Sequence, residues 1–435
     1  MADTSPELTT TSAQRRKAWS WIPSLYFAEG IPYVLVMSMS VIMYKKLGIS
    51  NVDIALYTSW LYLPWVIKPI WSPFVDIIRT KRFWIVTMQL VIGAAMAGVA
   101  LTLPGPDFFR WSLVFFWLMA FSSATHDIAA DGFYMLAIDD SNQAWFVGIR
   151  STFYRLSMIT GQGLLVMLAG QLEVGLDDLP LAWSITMGIT AGMYLVFMLW
   201  HRFILPRPAT DRSSRDDRSV SVLSGFVETF TSFFSKKGVW VTILFILFYR
   251  FSEAQLVKMA QPFMLDPVEL GGLGLTTSEV GFIYGTIGVL FLTLGGLLGG
   301  FVAARQGLKF WLWPMVIAIN VPNAVYLLLS LTQPESLWIL NASVAIEQFG
   351  YGFGFTAFML YMIYAAEGEH KTAHFALLTG FMALGMMIPG MFSGWIQEML
   401  GYQQFFVWIL IATIPGFAVA ALVEIDPEFG KSTEE

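Results

Sequence analysis

The sequence predicts an all-α membrane protein, with twelve transmembrane helices arranged as two pseudo-symmetric six-helix bundles. Three observations predict it. The 435 residues are 56% hydrophobic and only 13% charged, about half the charged share of an average soluble domain. The apolar residues fall into twelve runs, each near the ~20 residues that a membrane-crossing helix needs. Motifs of the first six runs also return, in order, in the last six.

The runs lie near 20–43, 53–76, 83–104, 111–138, 143–170 and 181–202, then 237–263, 278–304, 309–331, 336–364, 372–396 and 402–423. Residues 1–19 are mostly polar and read as a cytoplasmic tail. The apolar run that follows is too long for the core of a cleavable signal peptide. The first bundle spans 20–202. Residues 203–236 contain PRPATDRSSRDDRS, a solvated linker whose part from Val222 to Phe234 fits an amphipathic helix on the membrane surface. The second bundle spans 237–423, and 424–435 form a second cytoplasmic tail. Lys and Arg set the orientation. With the N-terminus cytoplasmic, the inner side collects Arg15, Arg16, Lys17, Arg79, Lys81, Arg82, the linker, Arg305, Lys309, Lys371 and Lys431. The outer side holds only Lys45, Lys46 and Arg110.

The halves repeat with slowly drifting offsets. Phe27–Gly30 (FAEG) returns as Phe251–Ala254 (FSEA), which places Glu29 and Glu253 equivalently. Phe74–Val75 with Phe83–Trp84 returns as Phe301–Val302 with Phe310–Trp311. Phe146 and Gly161 return as Phe375 and Gly390. Two six-helix halves joined by a cytoplasmic linker describe a parallel-repeat carrier architecture. The Gly-rich stretch Gly295–Gly300 suits close helix packing.

Charges inside these runs are the functional signal, because ionisable groups within a membrane are costly and mark transport paths. The fourth run carries His126, Asp127 and Asp131, and the fifth carries Arg150 and Arg155. Counted from the turn between the runs, Asp131 matches Arg150 in depth, and Asp127 matches Arg155 one turn deeper. Two charge-matched rungs follow. Asp127, Asp131, Glu29 and Glu253 are the proton-coupling candidates. His126 is a modulator, about 100° around the helix from Asp127. Arg250 stands three residues before Glu253 and suits an ion pair with it, while Lys258 suits snorkelling toward the surface. Lys68 lies between Pro64 and Pro69, which break a helical ladder and free carbonyls beside a cavity. Lys68, Arg150, Arg155 and Glu347 are substrate-binding candidates, with Trp65, Trp117 and Phe133 as stacking surfaces. The other tryptophans suit interfacial belts. No cysteine is present, and the four histidines are scattered, so disulfides, thiolate chemistry and a zinc site are not expected. No phosphate-binding loop suggests nucleotide hydrolysis. No cofactor, metal or nucleic acid is expected, only a small-molecule substrate, protons and lipid, with the chain a monomer.

The turn SPFVDIIRTKRF resembles the loop motif of the major facilitator superfamily, which makes Asp76, Arg79, Lys81 and Arg82 gating candidates. The bases alone also suit positive-inside anchoring. FAEGIPYVL at Phe27, K-x-x-W-S-P-x-x-D at Lys68–Asp76, S-S-A-T-H-D-I-A-A-D at Ser122–Asp131 and Y-R-L-x-M-x-x-G-x-G at Tyr154–Gly163 together resemble the AmpG-type muropeptide permeases and their acetyl-coenzyme A transporter relatives. The resemblance covers mainly the first half. It implies proton-driven symport of N-acetylglucosaminyl-anhydro-N-acetylmuramyl compounds, with or without peptide, across a bacterial inner membrane. It also marks Lys68, Asp76, Asp127, Asp131 and Arg155 as positions that match the family pattern. His126 stands where the family often has glutamine. Tyr134 and Leu136 replace a lysine and an aspartate, which leaves siderophore import as the alternative. A membrane-embedded acyltransferase built on His126, or a receptor that binds without uptake, are the competing classes.

Overall fold

The computed structural model describes residues 15–138, 140–208, 211 and 219–431, with the backbone alone at 76–77, 140–142, 144 and 219–226. Among these residues there is no β-strand, as expected of a chain whose backbone groups are satisfied within each membrane-crossing segment. Ten of the described helices are long and apolar enough to cross a membrane. The last, Lys371–Leu422, covers 52 residues. Gly401 interrupts it at φ 73° and ψ 165°, a conformation that costs glycine little. The second segment lies outside those ten because it is broken into Asn51–Trp60 and Leu63–Ile78. Pro64 enters the later helix at its second position, where an absent N–H costs nothing. Pro69, expected to break the ladder as well, is carried inside Leu63–Ile78. One lost backbone bond is tolerated where neighbouring helices surround it.

Short polar side chains start the helices. Ser50 accepts the Asp53 N–H at 3.1 Å, and Thr80 accepts the Phe83 N–H at 3.1 Å. Thr276 and Glu279 satisfy one another's backbone in a capping box. Three wide turns interrupt regular helix, at Leu35–Met39, Ile159–Leu164 and Gly281–Gly288. Such π stretches are frequent at functional sites.

The chain forms two compact units. The first takes residues through Val36, then Ile70–Gly161 and Pro180–Val222. The second takes Met37–Pro69, Gln162–Leu179 and the chain from Leu223 onward. Two of the dividing points fall inside the wide turns of the first and fifth segments. The first unit's core includes Trp21, Tyr26, Ile128, Phe133 and Phe146. The second unit's core includes Phe245, Tyr249, Met315, Phe358 and Leu378. In the second unit, the eighth and tenth segments touch backbone to backbone. A Cβ on Gly295 would sit 2.1 Å from the Phe349 carbonyl oxygen, and one on Gly352 would sit 2.0 Å from that of Leu292. The linker helix Ser219–Phe234 docks its end on this unit. Phe233 is wholly buried, and Ser232 Oγ lies 3.0 Å from His374 Nε2. Lys236 Nζ then donates to the carbonyls of Ala365 and Glu367, at 2.8 and 2.7 Å.

Candidate substrate and proton site

Glycine brings the first polar cluster together. A Cβ on Gly30 would lie 1.9 Å from Ser157 Oγ and 3.2 Å from the Tyr154 carbonyl oxygen, so glycine eases the approach of the fifth segment to the first beside Glu29. Glu29 is buried, and its Oε2 has no hydrogen-bond partner. Its other contact is with Asp127, close enough for a side-chain hydrogen bond, with Asp131 and Arg150 in electrostatic reach. Arg150 pairs with Asp131 through Nη2 and Oδ1, and Tyr26 Oη donates to the same Oδ1 at 3.2 Å. The guanidinium lies between two rings, 4.1 Å from the Tyr26 centroid and 4.3 Å from that of Tyr134. Such stacking is favourable for a planar cation. The expected Asp131–Arg150 rung is therefore present. Asp127 reaches across to Glu29 on the first segment.

A second polar line crosses the same unit. His126 Nε2 lies 3.0 Å from Gln89 Nε2. Gln89 Oε1 lies 2.9 Å from His201 Nδ1, and His201 Nε2 lies 2.9 Å from Ser24 Oγ. His126, Gln89 and His201 are wholly buried. An amide can only donate through nitrogen and accept through oxygen. Gln89 therefore accepts from His201 and donates to His126. His126 Nδ1 is left with no partner. Gln89 and His201 were missed at the sequence level. The signal was a lone amide and a lone imidazole within apolar runs of the third and sixth segments.

The remaining candidates are placed as follows. Phe133 is wholly buried in the first core, its ring 5.3 Å edge-on from Trp21, so it packs and offers no stacking face. Trp117 stacks with Phe121 at 5.9 Å. Lys68 and Trp65 are partly buried and belong to the second unit, and Arg155 is partly buried in the first. Of the loop candidates, the Asp76 side chain lies outside the described residues. Arg79 stacks on Phe83 at 5.6 Å. The backbone N–H groups of Lys81 and Arg82 donate to the Asp211 carboxylate at 2.7 and 3.1 Å. Arg82 turns to the Leu205 carbonyl at 3.2 Å and to that of Arg202, meeting the exposed carbonyls at a helix C-terminus. Asp211, a linker residue with no sequence signal, thus caps the third helix.

In the second unit, Glu253 and Glu347 are both buried. Glu347 accepts from Gln348 at 2.9 Å and from Tyr326 Oη at 3.4 Å. Arg250 acts on Glu253 electrostatically, and its guanidinium lies 5.1 Å from the Tyr351 ring. Lys258 does not snorkel: it is 1% exposed, donates to Thr58 Oγ1 at 2.9 Å and lies 5.3 Å from the Tyr62 ring. A polar partner 200 residues away in sequence holds it inside. The same unit carries a second polar lattice. Lys45 pairs with Asp266 at 2.6 Å, and Tyr402 Oη donates to Asp266 at 2.6 Å. Asn51 donates to Gln397 at 2.7 Å and to Tyr402 Oη at 3.0 Å. Lys46 and Thr277 both meet Glu173, at 3.6 and 2.6 Å.

Membrane-length helices with carboxylates and guanidiniums in their interior are the chemistry of a carrier, and the model of the Major Facilitator Superfamily matches residues 24–373. The chain belongs to the major facilitator superfamily. It is a multi-pass membrane transporter rather than an enzyme. The chain is similar to AmpG-type permeases over most of its length. It is 26% identical over 401 residues to the anhydromuropeptide permease of Escherichia coli K12, covering 90% of this chain and 77% of that one. It is 24% identical over 407 residues to a Rickettsia conorii protein named as a transporter, AmpG 4, covering 91% and 94%. Among solved structures, the nucleoside transporter NupG matches with TM-score 0.71 at 14% identity, over 94% of this chain and 100% of that one. A bacterial homologue of the lysosomal transporter Spinster, inward-facing and unoccupied, matches with TM-score 0.65 at 15% identity, over 94% and 95%. These structural likenesses carry the fold.

Proposed function

We propose that this transporter is a proton-coupled symporter that imports anhydro-muropeptides across the bacterial inner membrane, with both termini and the linker cytoplasmic. The observation that carries proton coupling is the Glu29–Asp127 contact. An ionised carboxylate has no donor, so a hydrogen bond between two carboxyl groups contains a proton. Asp131 does not share that role, because Arg150 and Tyr26 satisfy its charge. The proton is thus held by the pair, and the Asp131–Arg150 pair is a fixed counter-charge beside it. The substrate class rests on the anhydromuropeptide permease similarity over 90% of the chain. Muropeptides carry carboxylates. Arg155 in the first unit is the basic group that would meet them, and Trp117 in the same unit is the ring that would cover a sugar.

The test is uptake of N-acetylglucosaminyl-anhydro-N-acetylmuramic acid into proteoliposomes under an imposed pH gradient. Asp127→Asn removes one member of the proton pair. Concentrative uptake is expected to vanish, while exchange at equal pH continues. A protonophore is expected to stop uptake by the unmodified protein. Uptake that survives the protonophore and follows a sodium gradient would overturn proton coupling. Binding of a ferric siderophore in place of the muropeptide would overturn the substrate.

A further inference from the structure

We infer that Glu253 and Glu347 form a second proton-binding site, holding one exchangeable proton between them in the second unit. It deepens the proton-coupled reading, but proton binding here stands without any statement about substrate.

Four observations converge. Both side chains are at least nine-tenths buried, at 3% and 2% exposure, and each is within electrostatic reach of the other. Glu253 Oε2 is buried with no hydrogen-bond partner. An ionised carboxylate oxygen left so is costly, whereas a protonated one supplies an O–H to share. The groups facing the pair carry one formal positive charge against two acids. Arg250 lies on the same helix as Glu253, Tyr284 is on the eighth segment, and Tyr326 is on the ninth. Gln348 is on the tenth. Lys258 is turned to Thr58. One uncompensated negative charge in low dielectric is relieved by one proton.

The fourth observation is the repeat. Glu29 and Glu253 are equivalent in FAEG and FSEA. Both leave Oε2 unpartnered. Each has an acid on the corresponding helix of its own half, Asp127 on the fourth segment within hydrogen-bond reach of Glu29 and Glu347 on the tenth within electrostatic reach of Glu253. The duplication has kept an acid pair in both halves while changing its surroundings. In the first, Arg150 is bound by Asp131. In the second, Glu347 is tied by Tyr326 and Gln348, which leaves Glu253 as the member that gives and takes the proton.

The experiment is infrared spectroscopy of the purified protein in lipid, without substrate, reading the C=O band of protonated buried carboxyl groups. Glu29→Gln with Asp127→Asn is the background, so that neither acid of the first pair contributes. A band that shifts in D2O is expected to remain there, and to be lost on Glu253→Gln or Glu347→Gln. Should neither glutamine variant fold, carbon-13 labelling of glutamate in a Glu29→Gln protein isolates the same band. Its shift in D2O then supports the site. A band that neither substitution changes, or one that is absent in the labelled protein, overturns the site. Failure of muropeptide uptake would leave this readout unaffected and would count only against the transport reading.

Discussion

Gln89 stands between two imidazoles and serves both, giving an N–H to His126 and accepting one from His201. In this orientation of the amide, His126 Nε2 accepts and His201 Nδ1 donates. Replacing it with leucine keeps most of the volume and leaves two ring nitrogens unpaired in a dry core. Each orphaned group costs about 1–3 kcal/mol. Gln89→Leu is therefore expected to lower the thermal midpoint in detergent by several degrees, and Gln89→Glu is expected to be worse because it buries a charge. A midpoint equal to the unmodified protein's would show that the line carries no structural load. Arg150 is the other residue whose surroundings define its use. Its guanidinium is sandwiched by Tyr26 and Tyr134 while bound to Asp131, and lysine keeps only the charge of that arrangement.

Among the helices, the Gly-rich stretch of the eighth segment separates packing from composition. Gly295 faces the Phe349 carbonyl, while nothing lies within 4 Å of a Cβ on Gly300. Gly295→Ala is expected to push the eighth and tenth segments apart and destabilise the protein. Gly300→Ala is expected to be neutral or to stabilise it by about 0.5–1 kcal/mol. Thermal midpoints of the two variants check this pair, and equal losses would refute it. That stretch was legible as packing glycine because small residues at helical spacing have one physical use in lipid. The Asp131–Arg150 rung was legible too, since depth can be counted from a shared short turn. The same counting paired Asp127 with Arg155. It had no means of matching depth between the first and fourth segments, which lie far apart in sequence, so the Glu29–Asp127 contact was invisible. Lys258 was misread for a related reason. A lysine near a helix end snorkels unless something polar waits inside, and Thr58 comes from another segment altogether. Phe133 looked like a ligand surface because it neighbours Asp131. Adjacent helix positions face different ways, and it packs on Trp21.

For the whole molecule, orientation is tested first. The chain has no cysteine, so single cysteines at Ser12 and Ser213 report without background. Both are expected to resist an impermeant thiol reagent in intact spheroplasts and to react after permeabilisation. Labelling from outside would reverse the topology. The second unit supplies a further test. Lys45, Asp266, Tyr402 and Asn51 form one bonded set. Asp266→Ala strips Lys45 and Tyr402 of their shared acceptor, and an orphaned buried group costs about 1–3 kcal/mol. The thermal midpoint in detergent is expected to fall by several degrees. An unchanged midpoint would show that the set contributes nothing to the stability of this unit.

The composition of the second unit has a consequence for how the protein is made. Its helices from the second half complete their packing with Met37–Pro69 and Gln162–Leu179, both of which leave the ribosome long before Glu253 or Lys258. Lys258 finds Thr58, and Gln261 finds Ser38, only if the earlier pieces are already inserted. A second half synthesised alone would enter the bilayer with those polar groups facing lipid. Severing the chain in the linker therefore leaves halves of unequal worth: the later one needs the earlier as a template during insertion.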